Sequence, residues 1–380
     1  MRNVLIGMSM LAGVASQGLI APALADVQIG ILMPKTGFGA GFGAEEQGSI
    51  DLFMSKYADL GPAGKLKLTI YDTRGEPAQA ISLARKLIDT DNVLAILGPY
   101  FSGESEAAFP VANRAATPIV TPSSAKPGIA AANRPWTFRN ASTIDKTDAA
   151  LVAHWLKRQA SPIRKVVIFY DGKDAVSSSD GKAVMPAVLK ANNIEVVDSI
   201  SFQTGDVDFS AQVTRAKALG ADGIVITALF TEAGHLTREL RRQGMQQPIL
   251  AGVELSLDHK FIETAGDAAE GVLTGADFNR DSPRPSVVAF IKEYHERVGQ
   301  LPGNSSALMY DALFLMRHCI VTTGVTGSSA ADKTKIRDCW AGLKDVDAPI
   351  AGPSSIDENG DARHQPNFLI VKSGRFVVDR

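Results

Sequence analysis

The sequence contains few residues that bind metals or carry redox chemistry. Its 380 residues include two cysteines, Cys319 and Cys339, and six histidines that are scattered along the chain. Zinc sites need several cysteines or histidines at short spacings, and the sequence has no such group. We therefore predict no metal site and no bound cofactor.

Long blocks of like charge are also missing. Lysine and arginine together number 39, aspartate and glutamate 41, and the formal net charge is −2. Proteins that bind nucleic acids neutralise several phosphates with clustered basic side chains. The balanced and evenly distributed charge therefore argues against nucleic acid as a partner.

The one long apolar run lies at the start of the chain. Arg2 is followed by an apolar stretch over residues 4–20, and "APALA" then precedes Asp26. A basic start, an apolar centre and a small-residue cleavage site are typical of a secretory signal peptide. Polar and glycine residues interrupt the stretch, which makes a membrane anchor the weaker alternative. We expect cleavage after Ala25 and a soluble protein in the periplasm.

Export bears on the two cysteines, because the periplasm is an oxidising compartment. An even number of cysteines in an exported protein favours a disulfide. A bond between Cys319 and Cys339 is therefore the preferred interpretation, and two separately buried thiols are the alternative.

Apolar segments of strand length alternate with amphipathic segments of helix length. This pattern is typical of parallel sheets with helices on both faces, and the length is sufficient for about two domains. We predict strands at residues 27–33, 67–71, 93–97, 118–120, 165–170, 194–202, 222–227 and 248–252, with a further apolar segment at 270–275. We predict helices near residues 77–90, 181–192, 208–219, 232–243, 286–298, 305–322 and 332–343, and a final hairpin that turns at Ser373 and Gly374.

A glycine-rich stretch, "TGFGAGFGAEEQGSIDLF" at residues 36–53, follows the first predicted strand. A dinucleotide-binding loop has its first glycine at the strand end and an acidic residue about 20 positions later. Gly39 lies well beyond the strand end at Met33, and Asp72, the acid at the tip of the second strand, follows Gly39 too late for this motif. The spacing therefore excludes a nucleotide site. The sequence also has neither a Walker motif nor a G-x-S-x-G nucleophile motif.

Small polar residues follow several predicted strands, where parallel sheets bind their ligands. "GPYFSGES" places Ser102 at the start of a helix, where it either binds an anion or caps the helix. "TPSSAKPG" offers Ser123 and Ser124, which either donate to a ligand or cap. Glu254 in "AGVELS" would match an ammonium group, and a surface acid is the alternative.

Five segments resemble one family. "YDTRGEPAQA", "ILGPYFSGES", "IVTPSSAKP", "FRNASTID" and "AGDAAEGVLT" are similar to segments of the periplasmic leucine/isoleucine/valine-binding proteins, the solute-binding components of branched-chain amino-acid ABC transporters. The resemblance extends over nearly all of the chain after residue 25.

The resemblance implies an α/β fold of the type I periplasmic binding protein class, with two doubly wound parallel-sheet lobes joined by three hinge crossings. The first lobe would comprise residues 26–141 and 275–350, and the second lobe would comprise residues 142–274 and 351–380. The crossings would lie near residues 140–143, 272–276 and 350–353. The implied protein is a monomer and not an enzyme, closes its lobes on a small-molecule ligand and delivers it to an inner-membrane ABC permease.

The resemblance also assigns roles to residues in the cleft. The ligand carboxylate would bind Ser102 and a second loop of Ser123, Ser124 and Ala125, and the ligand ammonium would bind Glu254. The side-chain pocket would consist of Phe42, which covers the ligand from the glycine-rich loop, with Tyr100 and Phe230. Two departures are evident: Ala125 stands where the family often has threonine, and a family tyrosine has no counterpart near Ala175 or Val176.

The retained Glu254 favours an apolar or branched-chain amino acid as the ligand. Ala125, the missing tyrosine and the aromatic pocket residues favour the alternative, an aromatic carboxylate, amide or other small acid. An exported enzyme on the same scaffold is a remote alternative, since no nucleophile, base and orienting group can be assembled from the motifs.

Overall fold

The computed structural model describes residues 26–255 and 259–379. The predicted signal peptide lies outside this part of the chain. Within the described residues, no helix combines the length and the apolar character that a membrane span requires.

The strands are short and mostly buried. In chain order they are β1 (Val27–Met33), β2 (Leu66–Asp72), β3 (Ala95–Leu97), β4 (Ile119–Thr121), β5 (Thr137–Arg139), β6 (Lys165–Asp171), β7 (Glu195–Phe202), β8 (Gly223–Thr227), β9 (Ile249–Ala251), β10 (Leu273–Ala276), β11 (Val346–Ala348), β12 (Gly352–Ser354), β13 (Asn367–Lys372) and β14 (Arg375–Val378).

Helices alternate with these strands. They are α1 (Ala40–Tyr57), α2 (Pro77–Asp89), α3 (Ser102–Arg114), α4 (Ile144–Lys157), α5 (Ala175–Ser179), α6 (Met185–Ala191), α7 (Ser210–Lys217), α8 (Phe230–Arg242), α9 (His259–Ala265), α10 (Pro285–Val298), α11 (Asn304–Thr323) and α12 (Ala330–Ala341). A π-helical turn, Asp180–Val184, joins α5 to α6.

The first sheet has the strand order β2-β1-β3-β4-β5, and every neighbouring pair is parallel. Side chains on β1 alternate between its faces, as the pleat requires. Ile29 and Ile31 pack in the cluster that includes α1 and α11, whereas Leu32 packs in the cluster of α2 and α3. This is the doubly wound arrangement that the alternating pattern predicts.

The second sheet has the order β14-β13-β10-β9-β8-β6-β7. Strands β6 to β10 are parallel, and β13 and β14 are added as an antiparallel hairpin. Ser373 and Gly374 both have positive φ, 51° and 69°, as a two-residue type I′ turn requires. The predicted two-lobed α/β fold is confirmed, and the exact lobe boundaries stay a prediction.

Several details differ from the sequence prediction, which did not include α4, α9, β11 or β12. Strand β5 was not predicted, because it has three residues and ends in Arg139, a side chain that rarely lies inside a sheet. The helix predicted at 181–192 starts earlier, at Ala175, and contains the π-helical turn. Helix α1 already begins at Ala40, so part of the predicted glycine loop is helical.

Gly43 explains why that helix is rich in glycine. A Cβ atom at Gly43 would lie 2.1 Å from the carbonyl oxygen of Pro34, far inside van der Waals contact. The first turns of α1 therefore pack directly on the backbone that leaves β1. The glycines therefore permit close packing of protein on protein.

Helices α11 and α12 are joined covalently. Cys319 and Cys339 form a disulfide with a Cα–Cα distance of 5.7 Å, and 20 residues separate them in sequence. A crosslink of this span restricts the conformations of the unfolded chain, and in the chain-entropy model it stabilises the folded protein by about 3 kcal/mol.

We expect the variant Cys319→Ala/Cys339→Ala to lose about 3 kcal/mol of unfolding free energy. Alanine is chosen because Cys319 is fully buried, and serine would bury a hydroxyl group. Urea denaturation of the oxidised protein and the variant measures the difference, and the mass after alkylation with and without reduction verifies the bond. A variant as stable as the parent protein would contradict the role of the crosslink.

Candidate functional site

A small cavity lies between the two sheets, at the carboxyl ends of their parallel strands. Six of the eight predicted site residues line it: Tyr100, Ser102, Ser123, Ser124, Ala125 and Glu254. The other two, Phe42 and Phe230, are buried beside it and do not line it.

The wall contributed by the first sheet consists of hydroxyl groups and a helix N-terminus. Ser102 is the first residue of α3, where backbone N–H groups without helical partners favour an anion. Its Oγ accepts a hydrogen bond from the Lys126 backbone N–H at 3.2 Å, which leaves its own proton available. Ser123 Oγ is buried and has no hydrogen-bond partner among the described residues. Two serine hydroxyls can therefore donate into the cavity.

Ser124 has a different role from its neighbour. Its hydroxyl donates to the carbonyl oxygen of Tyr100 at 3.0 Å and lies 2.7 Å from Ser105 Oγ. Thr121 Oγ1 donates to Pro99 O at 2.7 Å in the same network. Ser124 thus ties the two loops of this wall together, and its hydroxyl is already used inside the protein.

Arg139 supports the loop after β4 through hydrogen bonds to its backbone carbonyl groups. Its Nη1 donates to the carbonyl oxygens of Ser124 at 2.7 Å and Lys126 at 2.8 Å, and its Nε pairs with Asp361 Oδ1 at 2.9 Å. Arg139 is fully buried. We did not predict a role for Arg139, although it lies in the segment "FRNASTID" that carries the resemblance.

The wall contributed by the second sheet is acidic. Glu254 lies in a 3-10 turn, Val253–Leu255, just after β9, and 4% of its surface is exposed. Neither carboxylate oxygen has a hydrogen-bond partner among the described residues. Burial raises the pKa of Glu254 well above its usual range, and the charge of Asp180 raises it further. A cationic group would stabilise the ionised carboxylate here.

Aromatic rings close the cleft beside the cavity. The ring of Phe42 stacks on Tyr100 at a centroid distance of 4.6 Å and meets Phe230 edge to face at 4.7 Å. Tyr100 in turn shares a hydrogen bond of 2.9 Å with Ser305. Phe42 therefore covers Tyr100 and joins the two lobes, and Tyr100 presents the aromatic surface to the cavity.

Further polar residues line the cavity, among them Ser142 and Asp277 close to two predicted crossings and Asn304 at the start of α11. Asp277 Oδ2 accepts the backbone N–H of Ser142 at 3.1 Å, and Asn304 Oδ1 accepts that of Phe278 at 3.1 Å. We did not predict these residues. The sequence offered one signal for Ser142 and Asp277, because two of the predicted crossings lie within a few residues of them.

The third crossing is anchored by an acid on α11. Asp311 accepts the backbone N–H groups of Ile350 at 3.0 Å and Ala351 at 2.7 Å. Burial raises the pKa of Asp311 to about 6. Across residues 26–255 and 259–379, no group of three or more histidine, cysteine, aspartate or glutamate side chains is suited to a metal ion.

The protein has two α/β lobes that are joined by three crossings and meet over a cavity. One side of the cavity has hydroxyl donors, and the other side has an acid. These features define a solute-binding protein of the two-lobed type. The chain belongs to the periplasmic binding protein family, which it matches over residues 26–375. The predicted family is thereby confirmed.

Relatives in this family have names that refer to amino acids. The Leu/Ile/Val-binding protein homolog 3 of Brucella melitensis is 27% identical over 371 residues, 96% of each chain. An amino acid binding protein of Pseudomonas aeruginosa is 30% identical over 280 residues, 71% of this chain and 73% of that protein.

Solved structures share the fold. A leucine-binding protein from Thermotoga maritima has 29% identity and a TM-score of 0.85, and the match covers 93% of this chain and 98% of that one. A solute-binding protein from Rhodopseudomonas palustris in complex with 3,4-dihydroxybenzoic acid has 23% identity and a TM-score of 0.82, with 93% and 96% covered.

Proposed function

We propose that this protein captures an apolar or branched-chain α-amino acid by lobe closure and delivers it to an inner-membrane ABC permease. The observation that carries the proposal is the placement of Glu254 across the cavity from Ser102 and Ser123. An α-amino acid has one carboxylate and one ammonium group, and the two walls offer donors for the first and an acceptor for the second.

The carboxylate end rests on the first lobe. The hydroxyl protons of Ser102 and Ser123 and the N-terminus of α3 favour an anion at this wall. Hydrogen bonds to a charged group are worth about 1.5–3 kcal/mol each. The ammonium end rests on Glu254. A ligand held at both ends bridges the lobes and stabilises their closed arrangement.

The side chain of the ligand would lie among apolar residues. Tyr100, Val176, Leu229 and Leu308 line this part of the cavity. The space open to the centre of a water-sized sphere is about 50 Å³, and one water needs about 10–15 Å³ of such space. The cavity thus has space for about three to five waters, so an amino acid with a branched side chain requires the walls to separate.

The alternative ligand is an aromatic carboxylate, amide or other small acid, as in the complex from R. palustris named above. The first wall suits it equally well. Glu254 counts against it, because a buried carboxylate beside a ligand without a cation must remain protonated or stay uncompensated. An amino acid uses both walls.

The location follows the same proposal. The protein would be exported, cleaved after Ala25 and act as a monomer in the periplasm, with no catalytic step of its own. N-terminal sequencing of the mature protein tests the cleavage site, and light scattering tests the monomer.

A thermal-shift screen of ligand-stripped protein tests the ligand class. Alanine, valine, isoleucine and leucine should raise Tm, because a ligand at 100 times its Kd stabilises the folded state by about 2.7 kcal/mol. Benzoate and 4-hydroxybenzoate serve as the competing set. Stabilisation by the benzoates alone would overturn the amino-acid proposal in favour of the alternative, and turnover of a compound without stabilisation would favour an enzyme.

A further inference from the structure

Two more buried acids lie close to Glu254 and are not among the residues that line the cavity. Asp148 is on α4 and Asp180 begins the π-helical turn, and both are fully buried. None of the carboxylate oxygens of Asp148, Asp180 or Glu254 has a hydrogen-bond donor among the described residues. We call these three residues the acid row.

Backbone geometry brings the acid row together. A Cβ atom at Gly252 would lie 2.0 Å from Glu254 Oε2 and 3.3 Å from Asp180 Oδ2, so both oxygens crowd the same face of Gly252. Asp180 interacts with both other acids, since the charge of Asp148 and contacts to Asp148 and Glu254 affect its pKa. Asp148 and Glu254 also repel each other, so the three carboxyl groups form one coupled cluster.

Among the described residues, no basic side chain is one of the groups that shift the pKa values of the acid row. Asp145 on α4 and Asp174 at the start of α5 are further acids that act on the row. Three basic residues close in sequence to the acid row have other partners: Lys146 pairs with Asp357 at 2.9 Å, Lys182 lies over the ring of Tyr170, and His259 lies 3.4 Å from Glu263. No ion pair within the described part of the chain involves the acid row.

Three carboxylates in one buried site cannot all be ionised. Burial is the largest cause that raises the pKa of each, and repulsion within the row adds to it. A carboxylate only accepts hydrogen bonds, so two carboxyl groups pair only through a proton that one of them carries. The ligand-free row therefore retains protons at neutral pH.

Glu254 connects the row to the cavity. It is the member that lines the cavity, and its carboxylate is more than nine-tenths buried and unpaired. An ammonium group that enters beside it favours the ionised carboxylate and repels a proton on the same group. The ligand keeps its own three ammonium protons, and one carboxyl O–H bond in the row breaks.

We propose that Asp148 and Asp180 are positioning residues that act through Glu254, and that capture of an α-ammonium ligand releases a proton from the acid row to the solvent. The inference rests on the proposed function. Its consequence is that ligand affinity rises with pH, by up to about tenfold per pH unit where one proton is released. It also makes the second lobe selective for ligands that carry a cation.

The first experiment needs no ligand. A carboxyl group whose pKa is higher in the folded protein binds more protons there than in the unfolded chain, so stability falls as pH rises above the unfolded value. We expect the stability of the wild-type protein to fall between pH 5 and pH 8, and the fall to be smaller in Asp180→Asn and Asp148→Asn. Asp338→Asn, whose side chain is 61% exposed on α12, is the matched control and should follow the wild type.

The second experiment counts protons. Titration calorimetry with alanine, valine and leucine in phosphate and in Tris at one pH gives the protons released, because the two buffers differ in ionisation heat. We expect between about half and one proton per ligand in the wild type and fewer in Asp148→Asn/Asp180→Asn, where burial still raises the pKa of Glu254 but the repulsion by Asp180 is gone. A merely structural role would alter stability without altering this count.

The outcomes separate the inference from the proposed function. Equal heats in both buffers for the wild type, or pH profiles of stability that Asp180→Asn leaves unchanged, would overturn the inference. Absence of binding by any of the three amino acids would instead overturn the proposed function and with it ligand-driven proton release. The stability profiles would still decide whether the row holds protons.

Discussion

Replacement of Glu254 by glutamine is expected to lower the affinity for an amino-acid ligand by roughly 100-fold or more. Truncating one partner of a buried, hydrogen-bonded charge pair costs about 2–5 kcal/mol, and about 2.8 kcal/mol corresponds to 100-fold. Glutamine keeps the size of the side chain and one carbonyl acceptor, so the change isolates the charge. The loss should appear as faster dissociation, because the acid lies inside the closed cavity.

Titration of ligand-stripped wild-type and Glu254→Gln protein with valine and leucine measures the change. Glu263→Gln is the matched control, because its side chain is 64% exposed on α9 and should bind like the wild type. The deaminated analogue isovalerate supplies a second control, since it lacks the ammonium and should not distinguish Glu254 from glutamine. If the Glu254→Gln protein binds valine with an affinity within threefold of the wild type, Glu254 does not bind the ligand ammonium.

The architecture could be predicted from the sequence because its causes are local. Strand and helix periodicities fix which faces are apolar, and parallel strands place the loops after β3 and β4 at one edge of the first sheet and the loop after β9 at the carboxyl edge of the second. These loops contain Ser102, Ser123 and Glu254, and the family resemblance assigned the three residues to one site. The same reasoning could not separate Ser123, whose hydroxyl has no partner among the described residues, from Ser124, whose hydroxyl binds Tyr100.

The acid row was not predicted because its members are distant in sequence and unremarkable one by one. Asp148 lies in an amphipathic helix, and Asp180 lies in a turn whose π-helical geometry has no sequence signature that we recognised. Only the packing of α4 against this turn and the close approach permitted by Gly252 bring them to Glu254. The stacking of Phe42 on Tyr100 was not predicted for a similar reason, because a resemblance locates a residue along the chain but not the direction of its side chain.

The second large effect is expected from substitution of Arg139 in β5. Its buried guanidinium donates hydrogen bonds to the Ser124 and Lys126 carbonyl groups and pairs with Asp361. Burial lowers the pKa of Arg139 and raises that of Asp361 despite their contact, so desolvation outweighs the attraction. A pair of this kind adds little net stability, but removal of one partner leaves a buried charge.

Arg139→Met is therefore expected to destabilise the protein by about 3–5 kcal/mol, because it leaves two carbonyl oxygens without donors and leaves the buried Asp361 with the more distant Lys146, at 3.9 Å, as its ion-pair partner. Urea denaturation measures the loss, and Arg215→Met is the matched control, since its exposed pair with Asp198 should contribute at most about 1 kcal/mol. Arg139→Met/Asp361→Leu should recover part of the stability, because it removes the stranded charge. Ligand affinity should not recover with it, since the Ser124 and Lys126 carbonyls stay unsupported in both variants. Equal stability of Arg139→Met and the wild type would mean that the loop is held by its serine network alone.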